Sequence, residues 1–280
     1  MLRIRTMSAD DIPMGLALCR FAGWNQLETD WRRLLALEPD GMFIAEQDDR
    51  PCGTAGTTCY DTRTAWIGMV LVHPDLRRRG VGSALMGHCV RHLQGRGIQS
   101  IKLDATDDGR PVYMKLGFKD ERAVHRYAGV RPQGLAADPA ARAVQAADWP
   151  AVARIDETAF GADRVRLLHL LASGGVSAVL PDAGQVRGYG FARLGHEAGH
   201  LGPVVACDAE AARDVVRALL ARLPDGPVFW DVLPDNGEAA RLAESLGMSV
   251  ARRLTRMYYG ETMNPGNVDL VCAAAGFELG

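Results

Sequence analysis

The chain has 280 residues, of which 48% are hydrophobic and 24% charged, a balance that excludes a disordered or fibrous polypeptide and allows more than one folded domain. Its formal net charge of −2 excludes a global attraction to nucleic acid, so any basic run must act locally. The six cysteines are scattered without a CxxC pair, which points to reduced thiols in a cytoplasmic protein and away from a disulfide framework or a zinc site.

The opening "MLRIRTMSADD" is charged and alternating, unlike a secretory leader. No apolar run reaches the roughly 18 residues of a membrane helix, so no membrane partner is expected. "LRIRTM" alternates as a half-buried strand does, and Ser8 followed by acids suits the cap of a helix reaching about Phe21. A second helix is expected in "ETDWRRLLALE", where Trp31, Leu34 and Leu35 keep a helical spacing. "GMFIAEQ" and "CGTAGTTCY" read as a hairpin turning at Asp48-Asp49-Arg50-Pro51. "TAWIGMVLV" is nearly all apolar, as a strand covered on both faces would be. Val81, Leu85, Cys89 and Leu93 mark one face of a helix, "IQSIKLDAT" is another buried strand, and "DGRPVYMKLGF" is a short helix ended by Gly117. The fold class is therefore α/β, with a central mixed sheet flanked by helices.

The second half repeats the first. "LGFKDERAVHRYAG" at 116–129 matches "LGMSVARRLTRMYYG" at 246–260, placing Arg126 and Arg256 at the same distance after their glycines. Upstream, "IKLDAT" matches "FWDVLP", aligning Asp104 with Asp231, and "IGMVLVHP" matches "LGPVVACD". "SADDIP" matches "AADWP". Two tandem domains of one fold are expected, residues 1–130 and 142–280, joined by the Pro/Gly/Ala-rich linker 131–141.

The chemistry concentrates in "VHPDLRRRGVGSALMGHC". Arg77, Arg78 and Arg79 precede Gly80-Val81-Gly82 between a buried strand and a helix N-terminus. Glycines there let a ligand approach the backbone, and free N–H groups with the helix dipole suit an anion; a plain turn is the alternative reading. A P-loop is excluded because no Lys-Ser/Thr follows, and a dinucleotide fingerprint would need Gly or Ala where Leu85 stands.

"RRRGVG" together with the later "VYMKLGF" resembles the GNAT N-acetyltransferases, and the likeness extends through a second, degenerate copy over nearly the whole chain. The resemblance implies acetyl-CoA as co-substrate and no metal. Its pyrophosphate would lie on the amides of Arg78 to Ser83, including Gly80, Val81 and Gly82, with Arg77, Arg78 and Arg79 adding charge. Leu71 and Val72 would bond the pantetheine, with Thr106 beside the cofactor, on a strand splayed from the next one. Tyr113 would be the general acid. The base is less defined, since the strand before the loop has no carboxylate; Asp104 is the leading choice, with a structural role as the alternative. Asn25, Glu28 and Asp30 are expected to touch the amine acceptor, a small molecule or peptide. Nucleic acid is not an expected partner, while a homodimer is compatible with the reading. A non-catalytic acyl-CoA sensor is the alternative function.

Other patterns carry less. "HEAGH" at 196–200 spells a zinc-protease motif, but its glycines predict a hairpin turn, and His88 and His92 share a helix face without a third ligand. The second copy has "DAEAARDVVRALL" in place of the glycine loop and Ala243 in place of Tyr113, so it is expected to bind no CoA. Its role would be to shape the acceptor pocket, helped by Glu278 in the final "GFELG". Deleting residues 131–280 is then expected to impair acceptor use more than CoA binding.

Overall fold

The computed structural model describes residues 1–135, 140–262 and 264–280; the middle of the expected linker, 136–139, lies outside the described residues. The chain forms two compact units. Unit one holds Met1–Glu121 together with the end of a long strand from Arg256 and with Leu279, while unit two holds Arg122–Thr255, Asn264–Glu278 and Gly280.

In unit one, β1 (Leu2–Thr6), β2 (Met42–Gln47), β3 (Arg50–Cys59), β4 (Thr64–Val72) and β5 (Ser100–Ala105) lie side by side in that order, and β11 (Ser249–Gly260) follows β5. The β2–β3 hairpin turns at Asp48 and Asp49, both at positive φ, the pair of left-handed residues that a two-residue hairpin requires. Arg50 and Pro51, which the sequence reading placed in the turn, already belong to β3.

α1 (Ile12–Ala22) follows a single 3₁₀ turn, Ala9–Asp11, that Ser8 caps, and Gly23 ends the helix at φ 63°. The Asp11 carboxylate accepts from Ser8 N–H at 2.8 Å and receives the Arg5 guanidinium at 2.7 and 2.8 Å, which holds it below the usual carboxylate range. α2 (Glu28–Leu37) buries Trp31 completely, and a β-carbon at Gly15 would fall 2.7 Å from its indole, so α1 and α2 meet at a position only glycine fits. α3 (Val81–Gly95) lays Val81, Leu85, Cys89 and Leu93 on the sheet with Phe43, Ala55 and Ile67. Each such buried aliphatic side chain contributes ~1.5–3 kcal/mol. α4 (Arg110–Lys115) completes this unit.

Unit two repeats the plan with β6 (Lys119–Val130), β7 (Val176–Asp182), β8 (Gln185–Arg193), β9 (Gly199–Ala206) and β10 (Pro227–Val232), in the order β6-β10-β9-β8-β7. α5 (Trp149–Phe160) and α6 (Val165–Gly174) come between β6 and β7 in the chain, and α7 (Ala209–Leu220) and α8 (Gly237–Ser245) follow β9 and β10. Even the helix entry recurs: Arg142 grips Asp148 at 2.6 and 2.8 Å as Arg5 grips Asp11. A short strand, β12 (Val271–Ala273), pairs with β9.

The last strand of each copy serves the other copy's unit. β6 pairs antiparallel with β10, Arg126 opposite Asp231, and β11 enters unit one from Arg256. A cut at 131–141 leaves each strand with its own copy; the contacts distribute them crosswise.

"HEAGH" lies in the β8–β9 connection, with His196 in a bend and His200 on β9, so the turn read from the glycines is present. Among the described residues no cluster of side chains could hold a metal ion, no disulfide is formed, and no helix is long and apolar enough to cross a membrane.

Candidate functional site

β4 and β5 pair in parallel only from Thr64 to Trp66, opposite Ser100 to Lys102. Against β3 the ladder continues to Val72, with an irregularity between Thr54 and Gly56. Met69 sits in that irregularity at φ 54°, and the buried Thr54 hydroxyl donates to its carbonyl at 2.8 Å. The strand is thus kinked away from β5, and among the described residues no segment pairs with Leu71 or Val72 on that side. Leu71 is buried and Val72 half-buried at the end of this free edge.

Past Val72 the chain is held tightly. His73 N–H donates to Cys52 O at 2.8 Å, Pro74–Leu76 form one 3₁₀ turn, and Arg77 Nε reaches back to Val72 O at 3.2 Å. Arg77 therefore braces the loop, while Arg78 and Arg79 are exposed and Arg78 is left-handed at φ 59°. Gly80 starts α3 at φ 86° with no side-chain cap. The first bond of the helix ladder is Ala84 N–H to Gly80 O at 2.9 Å, so the amides of Val81, Gly82 and Ser83 precede it and are donors for an anion.

A β-carbon on Gly82 would meet only Val72 Cγ2, at 3.7 Å, an ordinary contact. Gly82→Val should accordingly fold but crowd the amides. CoA affinity is expected to fall by about tenfold or more, ~1.4 kcal/mol, in calorimetry with an unchanged melting profile; unchanged affinity returns the loop to surface decoration.

Tyr113 stands on α4, whose entry Thr106 fixes. The Thr106 hydroxyl accepts from Gly109 N–H at 3.1 Å, so this side chain, expected beside the cofactor, closes the turn that leads into the helix. The Tyr113 ring lies over Gly109, where a β-carbon would fall 2.9 Å from it. Burial, and secondarily the neighbouring Cys89, pushes the phenol up to about 12, so it keeps its proton at neutral pH. Arg110 anchors the helix to Asp120 at 2.9 Å.

Asp104 is not placed as a base. Its carboxylate is fully buried and receives Arg256 Nε at 2.9 Å and Nη2 at 3.0 Å, and the guanidinium lies 4.6 Å from the Trp66 ring centre. Both oxygens are committed to a planar two-point ion pair, the structural alternative. Asp231 repeats the arrangement in unit two, receiving Arg126 at 2.7 Å through each oxygen.

The acceptor residues do not converge. Asp30 turns back on its own helix, accepting from Leu27 N–H at 2.9 Å and from Arg33 at 2.6 Å. Glu28 is exposed and bonded to Arg32 at 2.8 Å, while Asn25 is buried. Glu278, expected to face an amine, is buried in unit two against Arg193 at 3.1 Å. Glu121, at the start of β6, receives Lys102 Nζ at 3.0 Å. His88 and His92 pack edge-on against Phe43, with ring centres 4.5 and 5.1 Å apart, and burial lowers both pKa values.

Comparison with known proteins bears on the family and the fold. Residues 14–118 match the model of the acetyltransferase (GNAT) family, and residues 152–271 match an acetyltransferase (GNAT) domain. The chain is 28% identical to the uncharacterised N-acetyltransferase YitH of Bacillus subtilis, over 78% of this chain and 77% of that one. It is 26% identical to the holothin acyltransferase of a Pseudoalteromonas species, over 92% and 87%. A crystal structure of a candidate acetyltransferase from Pyrococcus horikoshii has the same fold over 100% of this chain and 96% of its own, with a TM-score of 0.87 at 24% identity. The chain belongs to the GNAT acetyltransferase family and carries two domains of that fold.

Proposed function

We propose that the N-terminal domain, residues 1–130 completed by the end of β11, transfers acetyl from acetyl-CoA to a primary amine of a small molecule or peptide. The observation that carries the reading is the continuous path from the free edge of β4 to the unladdered amides of α3. Leu71 and Val72 present main-chain groups to a pantetheine arm, and Val81, Gly82 and Ser83 present N–H groups to a pyrophosphate. Arg78 and Arg79 add positive charge beside them. The donor set is uncharged N–H plus arginine, which fits a diphosphate and no metal.

Acetyl-CoA supplies an activated acyl carbonyl, and the chain's part is to orient it, stabilise charge on its oxygen and deliver a proton. Backbone N–H groups of the kinked strand at Met69 and beyond are suited to the carbonyl oxygen. The Tyr113 phenol is suited to give its proton to the departing sulfur. The likeness to a holothin acyltransferase favours a small-molecule acceptor.

A single-turnover assay with acetyl-CoA and a mixed panel of amines tests this. Acetylated product appearing within one turnover is expected. Saturable acetyl-CoA binding without transfer to any amine would leave the acyl-CoA sensor.

A further inference from the structure

Unit two repeats the parted strands of unit one, and a piece of its own chain lies between them. β9 pairs in parallel with β10 only from Gly199 to Leu201, opposite Val228 to Trp230, just as β4 pairs with β5 over three residues. Beyond that point β12 lies antiparallel on β9, Val271 opposite Val205 and Ala273 opposite Val204. With Gly202 aligned on Gly68, Val204 and Val205 stand where Val70 and Leu71 stand in β4. The same segment closes on β10: Ala274 N–H donates to Asp231 O at 2.8 Å, and Trp230 Nε1 donates to Cys272 O at 2.8 Å. Val271 through Ala275 are buried. Gly202 belongs to this seat, because a β-carbon there would overlap Ala274 O.

The helix end of the slot is filled in the same manner. α7 is capped by Asp208, whose carboxylate accepts from Ala211 N–H at 2.9 Å, and this bond is the main cause that holds its pKa below the usual range. Arg187 clamps it at 2.9 Å and takes Glu210 at 2.8 Å. α3 has glycine at that position and no side chain on its amides.

We infer that the second domain is an acyl-CoA slot occupied from within: β12 supplies the hydrogen-bonding strand of a pantetheine arm, and the Asp208 carboxylate supplies the anion of a pyrophosphate. The inference rests on the cofactor reading of unit one, since that reading identifies the slot. It differs from a simple loss of motif. The domain keeps its parted strands because they have a ligand, a strand added by β-augmentation, and residues 267–280 are that ligand's carrier. The two ends of the slot are blocked independently, so restoring a glycine at the helix alone would not admit CoA.

Amide hydrogen exchange on the full chain, read by mass spectrometry with and without saturating acetyl-CoA, tests this. Segments 203–206 and 270–275 are expected to exchange at least about 100-fold more slowly than unstructured chain in both states. Segment 70–73 is held by β3 on one edge only, so it is expected to exchange faster than 203–206 in the free protein and to slow when acetyl-CoA is added. Fast exchange at 270–275 in the free protein, or slowing there on acetyl-CoA addition, overturns the inference. The cofactor reading fails separately, by a segment 70–73 that ignores acetyl-CoA. As a second measurement, Gly202→Ala should speed exchange at 270–275 while the acetyl-CoA response at 70–73 persists. No change at 270–275 in that variant also counts against the proposal.

Discussion

Replacing Tyr113 with phenylalanine is expected to lower turnover by about 10²–10⁴-fold, the usual worth of a positioned proton donor, with acetyl-CoA binding nearly intact. The substitution removes one hydroxyl and leaves the ring on Gly109, so α4 keeps its place. An acid must hold its proton until the leaving group needs it. Burial does this for Tyr113 by penalising the phenolate, raising the pKa from its ordinary 10 to about 12. Activity should therefore show no alkaline loss from this group through pH 10, and should lose it only as pH rises toward 12. The sign is that of a group needed in its protonated form. A drop below roughly threefold would give Tyr113 a packing role alone, far outside the range of general acid catalysis.

Removing one member of the Asp104–Arg256 pair is expected to destabilise unit one by ~3–5 kcal/mol, because the other charge is left buried and uncompensated. Asp104→Ala and Arg256→Ala should lower the melting temperature similarly, and the double variant should recover part of the loss. Side-chain exposure is 0% for Asp104 and 8% for Arg256, so water cannot take the missing partner's place. A base would behave otherwise: Asp104→Asn would leave the fold intact and remove activity, and Arg256 would matter little. The same pair explains what a chain cut at residue 130 should do. It takes Arg256 away with the end of β11, so deletion of 131–280 should unfold unit one, where the sequence alone suggested damage mainly to acceptor use.

Much of the fold was legible because the signals were local. Met7 to Gly117 carry their own caps, turns and periodicities: Ser8 caps, Gly117 follows the end of α4 at φ 96°, and Val81, Leu85, Cys89 and Leu93 face the sheet as their spacing requires. The repeat was legible for the same reason, since Asp104 with Asp231 and Arg126 with Arg256 recur in step. What could not be read was which arginine meets which aspartate. Two copies of one sheet present the same ion-pair pattern, so either final strand satisfies either sheet, and tertiary pairing alone decides. The acceptor residues failed differently. Asp30 looked available from its composition, but an acid three residues after an exposed helix N-terminus is also the residue that caps it, and here the cap wins. β12 left no trace because a strand of three residues is too short to show alternation.

The most direct measurement of the whole account is the stoichiometry of acetyl-CoA binding to the full chain by titration calorimetry, repeated on Gly82→Val. One molecule per chain is expected, with the affinity sharply reduced by the loop variant, because α3 offers open amides and α7 already holds Asp208. Two molecules per chain, or one whose affinity ignores Gly82→Val, would contradict it.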